Sequence, residues 1–134
     1  MGNARSVRRR STERGSATTE FVLVMLVLVP LVFGIFHLGL YLHVRNTLIA
    51  CAHEGAREQA NYDSPPGAGV QEARDCITES LSAGMAQNIT TDTVYVSGQE
   101  VTVVRVRAKF PAMGPWTRSL YITAEGHAVK EPTP

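Results

Sequence analysis

The apolar positions of this 134-residue chain follow three different patterns, and the first of them fills residues 21–44. That segment contains 17 Val, Leu, Ile or Phe residues and no Asp, Glu, Lys or Arg. As an α-helix it would be about 36 Å long, enough to cross a hydrocarbon core of about 30 Å. Insertion energies of about −0.3 to −0.6 kcal/mol per residue sum to roughly −5 to −10 kcal/mol. We therefore predict one membrane-spanning helix.

The second pattern is helical and amphipathic. Residues 45–60 contain good helix formers and no proline, so we expect the first helix to continue to about residue 60 and to end in the turn-rich residues 61–67. A second helix is predicted over residues 69–87, where apolar side chains recur at spacings of three and four. These side chains are Val70, Ala73, Ile77, Leu81 and Met85.

The third pattern is the alternation of β-strands. It predicts strands over residues 93–96, 100–110 and 120–129, with a hairpin turn at 97–99, a loop at 111–118 and a frayed end at 131–134. In the second strand one face carries Thr102, Val104, Val106, Ala108 and Phe110, and the other carries Arg105, Arg107 and Lys109 together with Val101 and Val103. We predict an α+β fold in which a long N-terminal helix and a second helix cover a small antiparallel sheet of about three strands.

Charge is distributed unevenly along the chain. Residues 1–15 hold five arginines and one glutamate, a net charge of +4, whereas the remaining residues carry a net charge of −3. This bias predicts a cytoplasmic N-terminus and an extracytoplasmic C-terminal domain. A basic nucleic-acid-binding arm is disfavoured because the segment adjoins the span and contains no aromatic residue. A secretory signal peptide is disfavoured because the apolar run is too long and offers no small-x-small cleavage site.

One carboxylate, Glu20, stands immediately before the apolar run. An ionised group near hydrocarbon loses hydration that only a partner can restore. Gly15 followed by five residues ending in Glu20-Phe21, with arginines upstream and an apolar helix downstream, resembles the processing site of type IV prepilins. The resemblance implies that a prepilin peptidase cuts between Gly15 and Ser16, and that Glu20 meets the free amino terminus of a neighbouring subunit and sets the register between subunits.

Further residues narrow the resemblance to the TadE/TadG-type pseudopilins of tight-adherence (Tad/Flp) systems. The similarity covers roughly residues 15–60 and consists of the following stretches: Gly15 to Phe21, Pro30, Gly34 to Phe36, Gly39, Arg45-Asn46 and Ala52 to Arg57. The chain departs from the family pattern at Thr18-Thr19, where small apolar residues are usual, and at His53, where a basic residue is common.

Four residues inside the span have more than one interpretation. Pro30 is either a functional kink or one tolerated in a bilayer, and Gly34 and Gly39 either allow close packing of helices or face lipid. For His37 we favour a structural or subunit-contact role over proton relay, because no acid shares the segment.

The two cysteines, Cys51 and Cys76, both lie on the exported side and on predicted helices. We expect a disulfide that joins the second helix to the exported end of the first, and the alternative is two buried thiols that pack as small apolar residues.

These observations lead to one functional prediction. Residues 1–15 form a leader, residues 16–60 a long helix with its span at 21–44, and residues 61–134 a small extracytoplasmic domain. The chain would be a minor pilin of a Tad pilus assembly and secretion system, whose partners are membrane lipid, prepilin peptidase, other pilin-like subunits and the Tad machinery. We predict no enzymatic activity, cofactor or metal. The alternative is an uncleaved single-pass protein that tethers a binding domain.

Overall fold

A computed structural model describes residues 12–110 and 119–130, with side chains from Ser16 onward. The elements in chain order are α1 (Thr12–Ala60), α2 (Ala68–Ser80), a 3₁₀ turn (Ala83–Met85), β1 (Asn88–Val96), β2 (Gln99–Phe110) and β3 (Leu120–Val129). A long apolar N-terminal helix, a second helix and a three-stranded antiparallel sheet confirm the predicted α+β class.

The chain divides into two units, residues 1–40 and 41–134, and α1 contributes residues to both. The second unit includes the last twenty residues of α1, 41–60, and the predicted boundaries after residues 15 and 60 stay predictions. Most of the predicted leader, the predicted loop at 111–118 and the predicted frayed end at 131–134 lie outside the described residues.

The sheet of the second unit has the strand order β1-β2-β3, and both pairs of neighbours are antiparallel. Ser97 and Gly98 connect β1 to β2, with Val96 opposite Gln99. Both turn residues have positive φ, 52° and 82°. Two consecutive left-handed residues give a hairpin turn whose twist matches that of the strands, and glycine adopts this conformation without steric cost.

One face of the sheet, which we call the inner face, is covered by helices. Its buried residues are Ile89, Thr102, Val104, Val106, Ala108, Phe110, Ile122 and Ala124. The residues of α1 that are buried form a stripe at helical spacing: Val44, Leu48, Cys51, Ala52, Gly55, Ala56 and Ala60. Ala73 and Ile77 of α2 complete the core. Only one face of each helix is apolar here because the other face meets water.

Two glycine contacts bring backbones unusually close together. A Cβ atom on Gly126 of β3 would overlap the backbone of Ala52 and His53 in α1. Between the helices, a Cβ atom on Gly55 would overlap the Gly69 carbonyl oxygen. Because these neighbours are backbone atoms, they cannot rotate away as a flexible side chain could. Glycine at these positions therefore allows α1 to rest directly on both β3 and α2.

Two predicted boundaries were wrong. α2 ends at Ser80 rather than at residue 87, because Leu81 adopts φ −128° and ψ −86°, outside the helical region, and Ser82 is extended. The apolar stripe continues into the 3₁₀ turn, so its spacing overstated the length of the helix. β1 begins at Asn88 rather than at residue 93, because residues 88–92 pair with β2 despite having few apolar side chains.

Substitution of Gly126 by alanine should destabilise the second unit, because even one methyl group would collide with the backbone of α1. Overpacking of this kind typically costs about 1–3 kcal/mol, and a backbone neighbour leaves little room for relaxation. Thermal unfolding of the full chain in detergent would measure the loss. Gly84→Ala is the matched control, since its nearest neighbour would be Ser82 Oγ at 3.9 Å. Equal unfolding temperatures for the two variants would refute the close contact.

Candidate assembly segment and C-terminal domain

The N-terminal part of α1 presents apolar side chains on all sides. Every side chain from Ser16 to Phe36 is exposed, and the apolar ones follow one another without a polar stripe. A helix that is apolar all round requires a protein interior or a membrane around it. Within the described part of the chain, α1 is the one helix long and apolar enough to cross a membrane. Its surface must therefore be covered by lipid or by other helices.

The predicted processing and register residues all lie inside α1, which begins at Thr12. Ser16, Glu20 and Phe21 are exposed, and Phe21 starts the apolar surface. Between residues 16 and 44, Glu20 is the single Asp, Glu, Lys or Arg in the sequence. The structure thus brings Gly15, Ser16 and Glu20 together on adjacent turns of one helix, at the boundary between polar and apolar surface.

The predicted kink and packing residues are accommodated within the same helix. α1 continues across Pro30, which lacks the N–H that would bond to the Leu26 carbonyl. A Cβ atom on Gly34 or Gly39 would meet open space, so these glycines leave shallow places on the helix surface. His37 Nδ1 lies 2.8 Å from the Phe33 carbonyl oxygen, which accepts a hydrogen bond when Nδ1 carries the proton. This local bond satisfies one ring nitrogen without a second ionisable group.

The C-terminal end of α1 is joined to α2 by a disulfide between Cys51 and Cys76, whose Cα atoms are 5.6 Å apart. Cys51 belongs to the buried stripe of α1, one turn before Gly55. The covalent link and the close glycine contact therefore act on the same helix pair. They fix α2 against α1 where side chains are too small to supply much apolar burial.

Two polar contacts that the sequence did not predict complete this arrangement. Gln59 Oε1 accepts hydrogen bonds from the backbone N–H groups of Gly67, at 3.1 Å, and Gly69, at 3.2 Å, and so caps the start of α2. His53 Nδ1 accepts the N–H of His127 at 3.2 Å. His53 was noticed only as a departure from a family pattern. The Gln59 contacts span 8 and 10 positions and the His53 contact spans 74, so the spacings of three and four within a helix do not predict them.

The face of the sheet away from the helices, which we call the outer face, carries a charge network. Arg105 Nε donates to Glu125 Oε1 at 2.6 Å, and Arg105 Nη1 lies 3.7 Å from Asp92 Oδ2. The hydrogen bond to Glu125, assisted by its charge, raises the pKa of the Arg105 guanidinium. The same hydrogen bond and the arginine charge lower the pKa of the Glu125 carboxyl. Beside this network, the Arg107 guanidinium lies 4.6 Å from the ring centre of Tyr121.

The described residues thus define a small, disulfide-linked α+β domain carried on a helix that could span a membrane. No group of three or more His, Cys, Asp or Glu side chains within this part of the chain could hold a metal ion.

Residues 15–57, about a third of the chain, match the family model described as TadE-like protein, so this segment is similar to that family. The match confirms the resemblance found in the sequence, and it includes Gly15, Glu20 and the whole apolar segment. The TadE-like family is pilus-associated, and the helix that these matched residues form is long and apolar enough to cross a membrane. No curated protein and no solved structure matches the chain significantly.

Removal of the disulfide in a Cys51→Ala/Cys76→Ala variant should lower the free energy of unfolding of the second unit by about 3 kcal/mol, because a cross-link over 25 residues restricts the unfolded chain. Denaturant unfolding of the full chain in detergent, followed by the circular dichroism of the sheet, would measure this. Reductant should destabilise the unmodified chain similarly and leave the variant unchanged. If the variant were as stable as the oxidised chain, the disulfide would not stabilise the second unit.

The Arg105–Glu125 ion pair predicts that the stability of the second unit decreases in acid. Because the folded state lowers the pKa of Glu125, the contribution of this carboxylate is fully present above its unfolded-state pKa and is lost as pH falls through its folded-state pKa. Glu125→Gln should therefore lower the unfolding temperature at neutral pH and have little effect in acid. Asp63→Asn, at an exposed position with no ion pair among the described residues, is the control. A pH-independent effect of Glu125→Gln would argue against the ion pair.

Proposed function

We propose that this protein is a minor pilin, or pseudopilin, of a Tad pilus assembly and secretion system. The observation that supports this most directly is the apolar surface of α1, exposed on all sides from Phe21 and preceded by the single carboxylate of Glu20. It lies inside the TadE-like segment. The helix would stay in the membrane until assembly transfers it into a bundle of similar helices.

The basic leader would hold the N-terminus in the cytoplasm, because five arginines precede the span. A prepilin peptidase would cut after Gly15 and leave Ser16 with a free amino group. The resulting ammonium of an adjoining subunit would lie within a few ångströms of Glu20. At low effective dielectric the attraction between two such charges offsets the desolvation of both, whereas either charge alone is penalised.

The exported domain would act through contact rather than catalysis. The described residues of this domain offer surfaces for function: a helix-covered inner face, an outer face with charged and aromatic side chains, and two sheet edges. Domains of this kind can recognise neighbouring subunits while the helices supply the main packing. The alternative, an uncleaved protein that tethers the same domain, keeps the anchor but requires neither processing nor Glu20.

Intact mass of the protein extracted from its host membrane tests processing. We expect the mature chain to begin at Ser16 in cells that contain prepilin peptidase and at the original N-terminus in cells that lack it. A Gly15→Leu variant should remain full length in both strains, because the bulky side chain occupies the cleavage position. Recovery of residues 1–15 on the unmodified chain in peptidase-containing cells would favour the tether.

A Glu20→Gln variant tests the role of the charge. Loss of one charge-assisted contact of about 1.5–3 kcal/mol should reduce recovery in the sheared filament fraction by roughly tenfold or more, while processing continues. Glu13→Gln removes a carboxylate from the leader and is the matched control, because cleavage would discard that residue. Equal incorporation of the two variants would show that Glu20 does not contribute to assembly.

A further inference from the structure

The outer face of the sheet contains a shallow groove with an unusual combination of side chains. It has a volume of about 460 Å³ and is lined by Asn88, Thr90, Arg105, Arg107 and Tyr121. We refer to it as the Arg107 groove. The cross-strand register places Asn88 opposite Arg107 and Thr90 opposite Arg105, so amide and hydroxyl groups stand beside the two guanidinium groups. Such a surface suits a carboxylate that needs both a cation and hydrogen-bond donors.

The two arginines of the groove are not equivalent. Arg105 is already engaged by Glu125 and Asp92. Arg107 has no carboxylate partner among the described residues, and its guanidinium is held over the Tyr121 ring. Lys109, on the same face and opposite Tyr121, likewise makes no ion pair in that part of the chain. Among the described residues, this face therefore has two positive charges without an ion-pair partner, one of them oriented by an aromatic ring.

The complementary charge occurs on α2. Glu72, Asp75 and Glu79 are exposed and, at spacings of three and four, lie on one side of the helix. None of them forms an ion pair within the described ranges. Arg74 does not neutralise them, because it points to the other side, where its Nε donates to the Ala86 carbonyl at 3.4 Å. We refer to these three residues as the acidic stripe.

The groove and the stripe lie on opposite sides of the exported domain. α2 packs with α1 over the inner face, through Ala73 and Ile77, whereas the Arg107 groove is on the outer face. The two charged rows also have similar lengths, since Glu72 to Glu79 spans about 10 Å of helix and Arg105 to Lys109 about 13 Å of strand. An intramolecular contact between them is therefore excluded, and a contact between copies is favoured.

We propose that the Arg107 groove binds the acidic stripe of a second copy of this chain. Arg107 and Lys109 of one copy then face the carboxylates of α2 in the next. The contact is heterologous, because each copy uses its outer face toward one neighbour and α2 toward the other. The inference rests on the proposed function, since bundling of α1 helices brings exported domains side by side.

The chain offers a direct test because Lys109 and Lys130 are its two lysines. A zero-length carbodiimide reagent joins a lysine to a carboxylate only where they are in contact. Two full-length copies with different C-terminal tags would be co-expressed in the host, treated with the reagent in intact cells, and purified under denaturing conditions through one tag. We expect covalent dimers that carry both tags, and peptides in which Lys109 is linked to Glu72, Asp75 or Glu79.

Each copy also contains an internal control. Lys130 Nζ lies 3.2 Å from Glu100 Oε2, so their linkage within one chain shows that the reagent reached the domain. Lys109→Gln in both copies should abolish the Lys109-linked dimers, and Lys130→Gln should leave them unchanged. When the internal linkage is present, the absence of two-tag dimers overturns the proposal. Attachment of Lys109 to a different protein also overturns it, because the occupant is then not a second copy.

Exchange of the charges at Arg107 and Glu79 tests whether the groove and the acidic stripe attract each other or are merely close together. Arg107→Glu should reduce the two-tag dimers that are linked through Lys109 about tenfold, and the Arg107→Glu/Glu79→Arg double variant should restore much of their yield. Intact mass of the same samples reports whether residues 1–15 have been removed. Processed chains without the Lys109 linkage refute this contact and leave the proposed function in place, whereas unprocessed chains in peptidase-containing cells refute the function itself.

Discussion

An apolar helix surface that water cannot accommodate is the constraint on which this protein depends. From Phe21 onward α1 exposes large apolar side chains on every side, and burial of each such side chain contributes about 1.5–3 kcal/mol. Lipid can cover this surface, and so can similar helices. The exchange between the two coverings involves little change in hydrophobic free energy, because lipid chains and apolar side chains are comparable environments. Specificity must then come from something other than apolar area, and we propose that Glu20, the carboxylate at this boundary, provides it.

Apolar residues are distributed differently in the two parts of α1. Up to residue 40 apolar side chains occur on every side, whereas from Val44 to Ala60 they are confined to one buried stripe. That stripe consists largely of small residues, which bury little area but allow backbones to approach. The second unit therefore depends on close contacts, such as Gly126 against Ala52, and on the Cys51–Cys76 disulfide. A small domain with few large side chains needs such covalent support.

The features with a local signal could be predicted from the sequence. Uninterrupted apolarity indicated the first helix, and alternation indicated β2 and β3, because each pattern follows directly from backbone geometry. The end of α2 could not be predicted, since the apolar stripe continues into the 3₁₀ turn while the backbone leaves the helix at Leu81. The first half of β1 was missed because residues 88–92 are held by pairing with β2 rather than by their own apolar pattern.

Contacts between distant residues account for the remaining differences at the candidate site. Glu20, Cys51 and Cys76 stood out because their chemistry is unusual for their surroundings. Gln59 and His53 did not, since an amide or an imidazole becomes an acceptor of this kind only when the fold brings a particular N–H group to it.

The His53 contact also distinguishes the two sheet edges. His53 accepts a hydrogen bond from an outward N–H group of β3, whereas none of the described side chains accepts one from an outward N–H group of β1. Edge protection on β3 directs further association toward other surfaces, and the uncompensated charges of Arg107 and Lys109 make the outer face the one with an electrostatic reason to bind.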